Sequence, residues 1–96
     1  MFGSNEITIK QAIEQLLKAY RLDDKMNEVR LINSWEKVVG KLISKHTTNL
    51  YIKKKKLFVS LDSAALKTEL SYSKEKIIEM LNNEVGQKTI NDIFFT

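Results

Sequence analysis

Between Asn33 and Leu61 the spacing of apolar side chains changes from a period of 3.6 to a period of 2. That switch restricts the chain to folds in which a helix runs straight into a hairpin. Met26, Val29, Ile32, Trp35 and Val39 recur at helical spacing, with Leu31, Val38 and Leu42 widening the stripe. After Thr47-Thr48-Asn49 the pattern alternates: Leu50 and Ile52 face one way, Tyr51 and Lys53 the other. Lys54 and Lys55 make a turn. Leu57, Val59 and Leu61 then face inward, with Phe58 and Ser60 outward. Without Asn-Gly or Asp-Gly the turn type is not readable.

The flanking segments supply cover for this hairpin. Thr8 and Gln11 form a capping-box pattern ahead of Ile9, Ala12, Ile13, Leu16, Leu17 and Tyr20, so a first helix is expected from Ile9 to Tyr20. Asp23 or Asp24 is placed to cap the second helix, expected to be the most buried one. It continues past Gly40, with a kink or a close contact there, and ends near His46. Asp62-Ser63 caps a third helix carrying Ala65, Leu66, Leu70, Ile77, Ile78, Leu81 and Val85, with a bend or break at Ser71–Lys74. Gly86 follows as a C′ residue. Ile90 to Phe95 reads as a last strand with Ile93 and Phe95 inward and Phe94 outward. The order ααββαβ predicts an α+β fold, two layers with helices on one face of a small three-stranded sheet and a right-handed crossover. Residues 1–7 read as a flexible arm and residues 8–96 as one domain.

Charge is distributed unevenly. The net formal charge is +4, and no acidic residue interrupts the stretch from Lys37 to Leu61, which holds Lys41, Lys45, Lys53, Lys54, Lys55 and Lys56. A concentrated basic patch is the electrostatic footprint of phosphate binding; the plainer reading is a solvated, solubilising turn. Tyr51, Phe58 and Phe94 are expected on the uncovered sheet face beside Lys53 and Lys56. Rings stacking on bases while ammonium groups track the backbone is how several modules hold single strands. A protein interface would use such a face equally well.

No enzyme constellation can be assembled. His46 is the only histidine and is expected to close a helix and bond a carbonyl. There is no cysteine, so disulfides, thiol catalysis and cysteine-ligated zinc are excluded. The glycines are too scattered for a phosphate-cradling loop. Glu75 and Glu79 share a helical face with interleaved lysines and read as solvated, so no metal or other cofactor is expected. Trp35 reads as core. The N-terminus has no secretory signal, and no segment reaches the roughly 20 apolar residues of a membrane span. A cytoplasmic protein without membrane or small-molecule substrate is expected.

The pattern Trp35-x-x-Val38-Val39-Gly40, His46-Thr47, Leu50, Leu57-x-Val59, Asp62-Ser63, Leu70, Leu81-Asn82, Gly86 and Ile93-Phe94-Phe95 resembles the DciA family across nearly the whole chain. The resemblance implies a KH-like fold and a non-enzymatic role in bacterial chromosome replication. It also implies DNA as a ligand, single-stranded or forked, and association with a replicative helicase of the DnaB type to help its placement on DNA. The expected contacts are Lys53, Lys54, Lys55 and Lys56, helped by Lys41, Lys45, Tyr51 and Phe58. The alternatives are a KH-like RNA-binding or ribosome-associated module and a protein-interaction adaptor. The first interhelical connection, Arg21-Leu22-Asp23-Asp24, lacks the G-x-x-G of KH domains that grip RNA. Many family members carry a flexible extension beyond the domain; if that extension contributes to helicase or DNA contact, a chain ending at Thr96 is expected to bind differently or more weakly.

Overall fold

In the computed structural model, residues 8–96 are described; the arm expected over residues 1–7 lies outside them. Helix α1 spans Ile9–Ala19, α2 Leu22–Asn33, α3 Trp35–Val39 and α4 Lys41–Lys45. Strands β1 (Thr47–Lys53) and β2 (Lys56–Leu61) follow, then α5 (Ala64–Tyr72), α6 (Lys74–Val85) and β3 (Asp92–Phe95). The three strands lie in the order β1-β2-β3, with β1 antiparallel to β2 and β3 parallel to β2. This is the expected α+β arrangement with its long helices broken.

Each break has a local cause. Ser34 donates its hydroxyl to the Leu31 carbonyl at 2.7 Å, competing with the helical ladder and separating α2 from α3. Gly40 adopts φ 93° and ψ 166°, a conformation essentially reserved for glycine, so the expected kink is a full break between α3 and α4. Ser73 interrupts the third helix within the anticipated Ser71–Lys74 run. The caps at Thr8 and Ser63 form as expected. The α2 cap does not involve an aspartate. Arg21 takes a left-handed φ of 57° and turns the chain sharply enough for α2 to begin at Leu22, placing Asp23 and Asp24 inside its first turn. There they favour the positive helix end.

The core is a single cluster. Leu57, Val59 and Ile93 point from the sheet into Leu31, Trp35, Leu70, Ile77, Leu81, Val85 and Ile90, all buried. Leu50, Ile52, Leu61 and Phe95 close its margins. Asn82 fixes the lead into β3: its amide donates to the Ile90 carbonyl, and its Oδ1 accepts from the Thr89 and Ile90 amides, at 2.8–3.0 Å.

Two expectations about cover are overturned. Helix α1 buries no residue, and it packs chiefly on α2. In α2 only Leu31 is buried, while Met26 and Val29 remain more than half exposed. Periodicity alone predicts one continuous helix through this stripe. The break at Ser34 lets Leu31 and Trp35 enter the core while the first half of α2 turns its apolar side away.

Candidate nucleic-acid interface

Strand alternation leaves one sheet face free of helices, and the register arranges its side chains in three rows. Lys53, Lys56 and Asp92 pair across the strands at the hairpin-tip end. Tyr51, Phe58 and Phe94 form the middle row. Asn49 and Ser60 pair in the third row, extended by Thr96, whose hydroxyl lies 3.0 Å from that of Ser60. The face is thus cationic at one end, aromatic in the middle and hydrogen-bonding at the other.

The aromatic row is a ladder. Tyr51 and Phe58 stack with centroids 4.9 Å apart and planes 10° from parallel; Phe58 and Phe94 follow at 5.3 Å and 22°. Both faces of Phe58 are therefore occupied by neighbouring rings. Phe94 carries the Lys74 ammonium 5.4 Å from its centroid. Tyr51, 44 % exposed on the edge strand, is the end of the ladder with no cation over its ring. The rings thus stack largely on one another, and base stacking has one evident platform.

The tip is a two-residue turn with both central residues at positive φ, 52° at Lys54 and 64° at Lys55, the signature of type I′. That conformation normally selects Asn-Gly; a side chain without a local hydrogen bond pays roughly 1–2 kcal/mol per residue. Two lysines are held there by the surrounding pairing, including the Asn91 amide donating to the Lys55 carbonyl at 2.8 Å. Lys54 and Lys55 border a cleft of about 170 Å³ with Lys88 and Thr89, faced by Asp24, Asn27 and Glu28 from α2. The tip is therefore cationic outward and partly balanced on its inner side.

The basic run does not form one patch. Lys41 and Lys45 sit on α4, at the opposite end of β1 from the tip. Seven residues of strand separate the two by roughly 20 Å, at about 3.3 Å per residue. Lys37 is engaged by Glu84 on α6. Lys53, Lys54, Lys55 and Lys56 make no ion pair among the described residues.

His46 does not bond a carbonyl through its ring. Its Nδ1 lies 2.7 Å from Asp62 Oδ1, while its carbonyl accepts the Asp62 amide at 3.0 Å. This double link joins the end of α4 to the end of β2. Asp92 is the titrating group of the open face. The Ile93 amide donates to Asp92 Oδ1 at 2.8 Å and Lys74 lies 3.2 Å away, and together they hold its carboxyl below the usual range.

Asn49, Thr96, Lys74 and Asp92 are not singled out by the sequence. Strand parity already turns Ser60 outward and places Asn49 on the same face. Lys74 comes from the first turn of α6, and only the packing of that helix beside β3 brings it to Phe94.

Compared with known families, residues 8–95 match the one described as "Dna[CI] antecedent, DciA". A protein of Corynebacterium glutamicum (strain R), named UPF0232 protein, is 36 % identical over 61 residues. The aligned stretch covers 64 % of this chain and 34 % of that relative, so the chain spans about a third of the relative's length. No described helix is long and apolar enough to cross a membrane.

Proposed function

Because the chain belongs to the DciA family, a family associated with replicative-helicase loading, we propose that it is a non-enzymatic, cytoplasmic replication accessory protein that holds single-stranded or forked DNA on its open sheet face and associates with a DnaB-type helicase. The observation that carries the DNA contact is the row of Lys53 and Lys56 beside the Lys54-Lys55 turn, four ammonium groups without ion partners among the described residues. They track phosphates, while the outer face of Tyr51 takes a base and Asn49, Ser60 and Thr96 offer hydrogen bonds along the strand. The mechanism is tethering. Phosphate contacts keep the strand beside the helicase while another surface engages the ring and assists its placement. Lys41 and Lys45, at the far end of the hairpin, extend the track.

Two lysines kept in a backbone conformation that favours Asn-Gly support this use, since strain of that kind concentrates at functional positions. Fluorescence anisotropy with labelled single-stranded DNA, forked DNA and matched RNA, at several salt concentrations, tests the reading. Salt-dependent DNA binding, weakened by Lys53→Ser/Lys56→Ser in a folded protein, is expected. A preference for the RNA gives the face to an RNA ligand instead. Absence of binding to any of the three overturns the nucleic-acid reading and leaves the tip as a solubilising turn. A pull-down with purified replicative helicase tests the second association separately.

A further inference from the structure

The largest feature left unused by the sheet face lies on the α1–α2 hairpin. Ile9, Ile13 and Leu16 on α1, Tyr20 at its C-terminal cap, and Leu22, Met26 and Val29 on α2 are each between 43 % and 80 % exposed. Together they form an exposed apolar patch of the kind that marks an interaction site on a soluble protein. Between the helices runs a groove of about 420 Å³ lined by Leu17, Leu22, Met26 and Val29 and by Lys25 and Arg30.

The spacing on both helices is that of a helix–helix seam. Ile9, Ile13, Leu16 and Tyr20 alternate steps of four and three residues, and Leu22, Met26 and Val29 repeat the same steps. Beside the α1 seam stand Ala12 and Ala19, small and uncharged, while Glu14 lies outside it. Helix α1 has 11 residues and buries none of them. Isolated helices shorter than about 12–15 residues are marginal in water, so a helix of this kind is stabilised by packing its apolar face.

We propose that the α1–α2 hairpin pairs with the same hairpin of a second copy, forming an antiparallel four-helix bundle about a two-fold axis. The charges suit this occupant. Helix α1 carries Lys10 and Lys18 against Glu14, and α2 carries Asp23, Asp24 and Glu28 against Lys25 and Arg30. One helix is net positive and the other net negative, so α1 of each copy meets a helix of opposite sign when it packs on the partner's α2.

Sedimentation equilibrium of the full chain without nucleic acid tests this independently of the DNA reading. Over micromolar to submillimolar concentrations the mass is expected to rise from 11.1 kDa toward twice that value. Ile13→Glu/Leu16→Glu, at exposed positions, is expected to stay at the single-copy mass with unchanged thermal unfolding of the sheet domain. Met80→Glu, an exposed apolar position on α6, serves as control and leaves the association unchanged. A single-copy mass throughout overturns the proposal, as does association insensitive to the α1 pair. A chain that stays single while the same pair abolishes helicase capture assigns the face to that protein and likewise overturns it.

Discussion

The indole Nε1 of Trp35 donates to Thr47 Oγ1 at 3.0 Å, and the Thr47 hydroxyl in turn donates to the Ile43 carbonyl at 2.7 Å. This relay ties α3, α4 and the first residue of β1 into one unit around a tryptophan only 3 % exposed. Trp35→Ala is expected to cost about 3–5 kcal/mol from lost burial and the cavity left behind. Trp35→Phe retains most of the apolar volume and isolates the indole hydrogen bond, with an expected loss near 1–2 kcal/mol. Urea unfolding of both variants separates packing from the relay; a Trp35→Phe protein as stable as the parent would mean that the bond contributes nothing.

Gly40 offers a purely conformational test. A Cβ built there meets nothing within 4 Å, so the cost of substitution lies in the backbone alone. Gly40→Ala is expected to destabilise by about 1–3 kcal/mol because φ 93° with ψ 166° is closed to alanine. A neutral result would show that α3 and α4 rejoin without penalty.

At the hairpin tip, stability and binding are expected to move in opposite directions. Lys54→Asn/Lys55→Gly supplies the residues that a type I′ turn prefers and should raise stability by about 1 kcal/mol. If both ammonium groups contact phosphate, the log–log salt slope for single strands falls by about 1.4, at about 0.7 per contact. Thermal unfolding and anisotropy titrations on the same variant read the two effects. A stabler protein with an unchanged salt slope would remove these lysines from the phosphate track.

The ladder predicts unequal consequences for its rings. Tyr51→Ala should weaken single-strand binding by about 1–3 kcal/mol, the usual value of one stacked base. Phe94→Ala should weaken it less, because Lys74 already covers that ring. Equal losses would mean that the ligand displaces Lys74 and uses both ends.

Asp92 links stability to acid. Its folded-state carboxyl titrates below the usual carboxylate value, through the Ile93 amide first and then Lys74. A depressed value stabilises the fold fully above the unfolded pKa, and the contribution disappears as pH falls through the folded one. The side chain is partly exposed, so solvent screening keeps the contribution small. Asp92→Asn should therefore be slightly less stable than the parent near neutrality and indistinguishable from it at the acid end. A difference constant with pH would exclude the carboxylate charge as its source.

Much of the architecture was legible because its signals are local. The Thr8 and Ser63 caps, the alternation through β1 and β2, the break near Ser73 and the C′ role of Gly86 each depend on a few neighbouring residues. The inward set Leu57, Val59 and Ile93 and the outward set Tyr51, Phe58 and Phe94 follow from strand parity. The α2 start was misplaced because nothing local marks Arg21 as left-handed.

Residue order sets which side chains are apolar at helical or strand period, and so the elements and their two-faced character. Which of those faces became core was settled by packing between elements. Amphipathic periodicity is the same whether a helix packs on its own sheet or stays uncovered, so Ile13 and Leu16 read like Ile77 and Leu81. The same holds for charge. Adjacency in sequence put Lys45 near Lys53, but an extended strand carries them to opposite ends of the hairpin. Lys74, twenty-one residues beyond Lys53, arrives at the aromatic row because α6 packs beside β3.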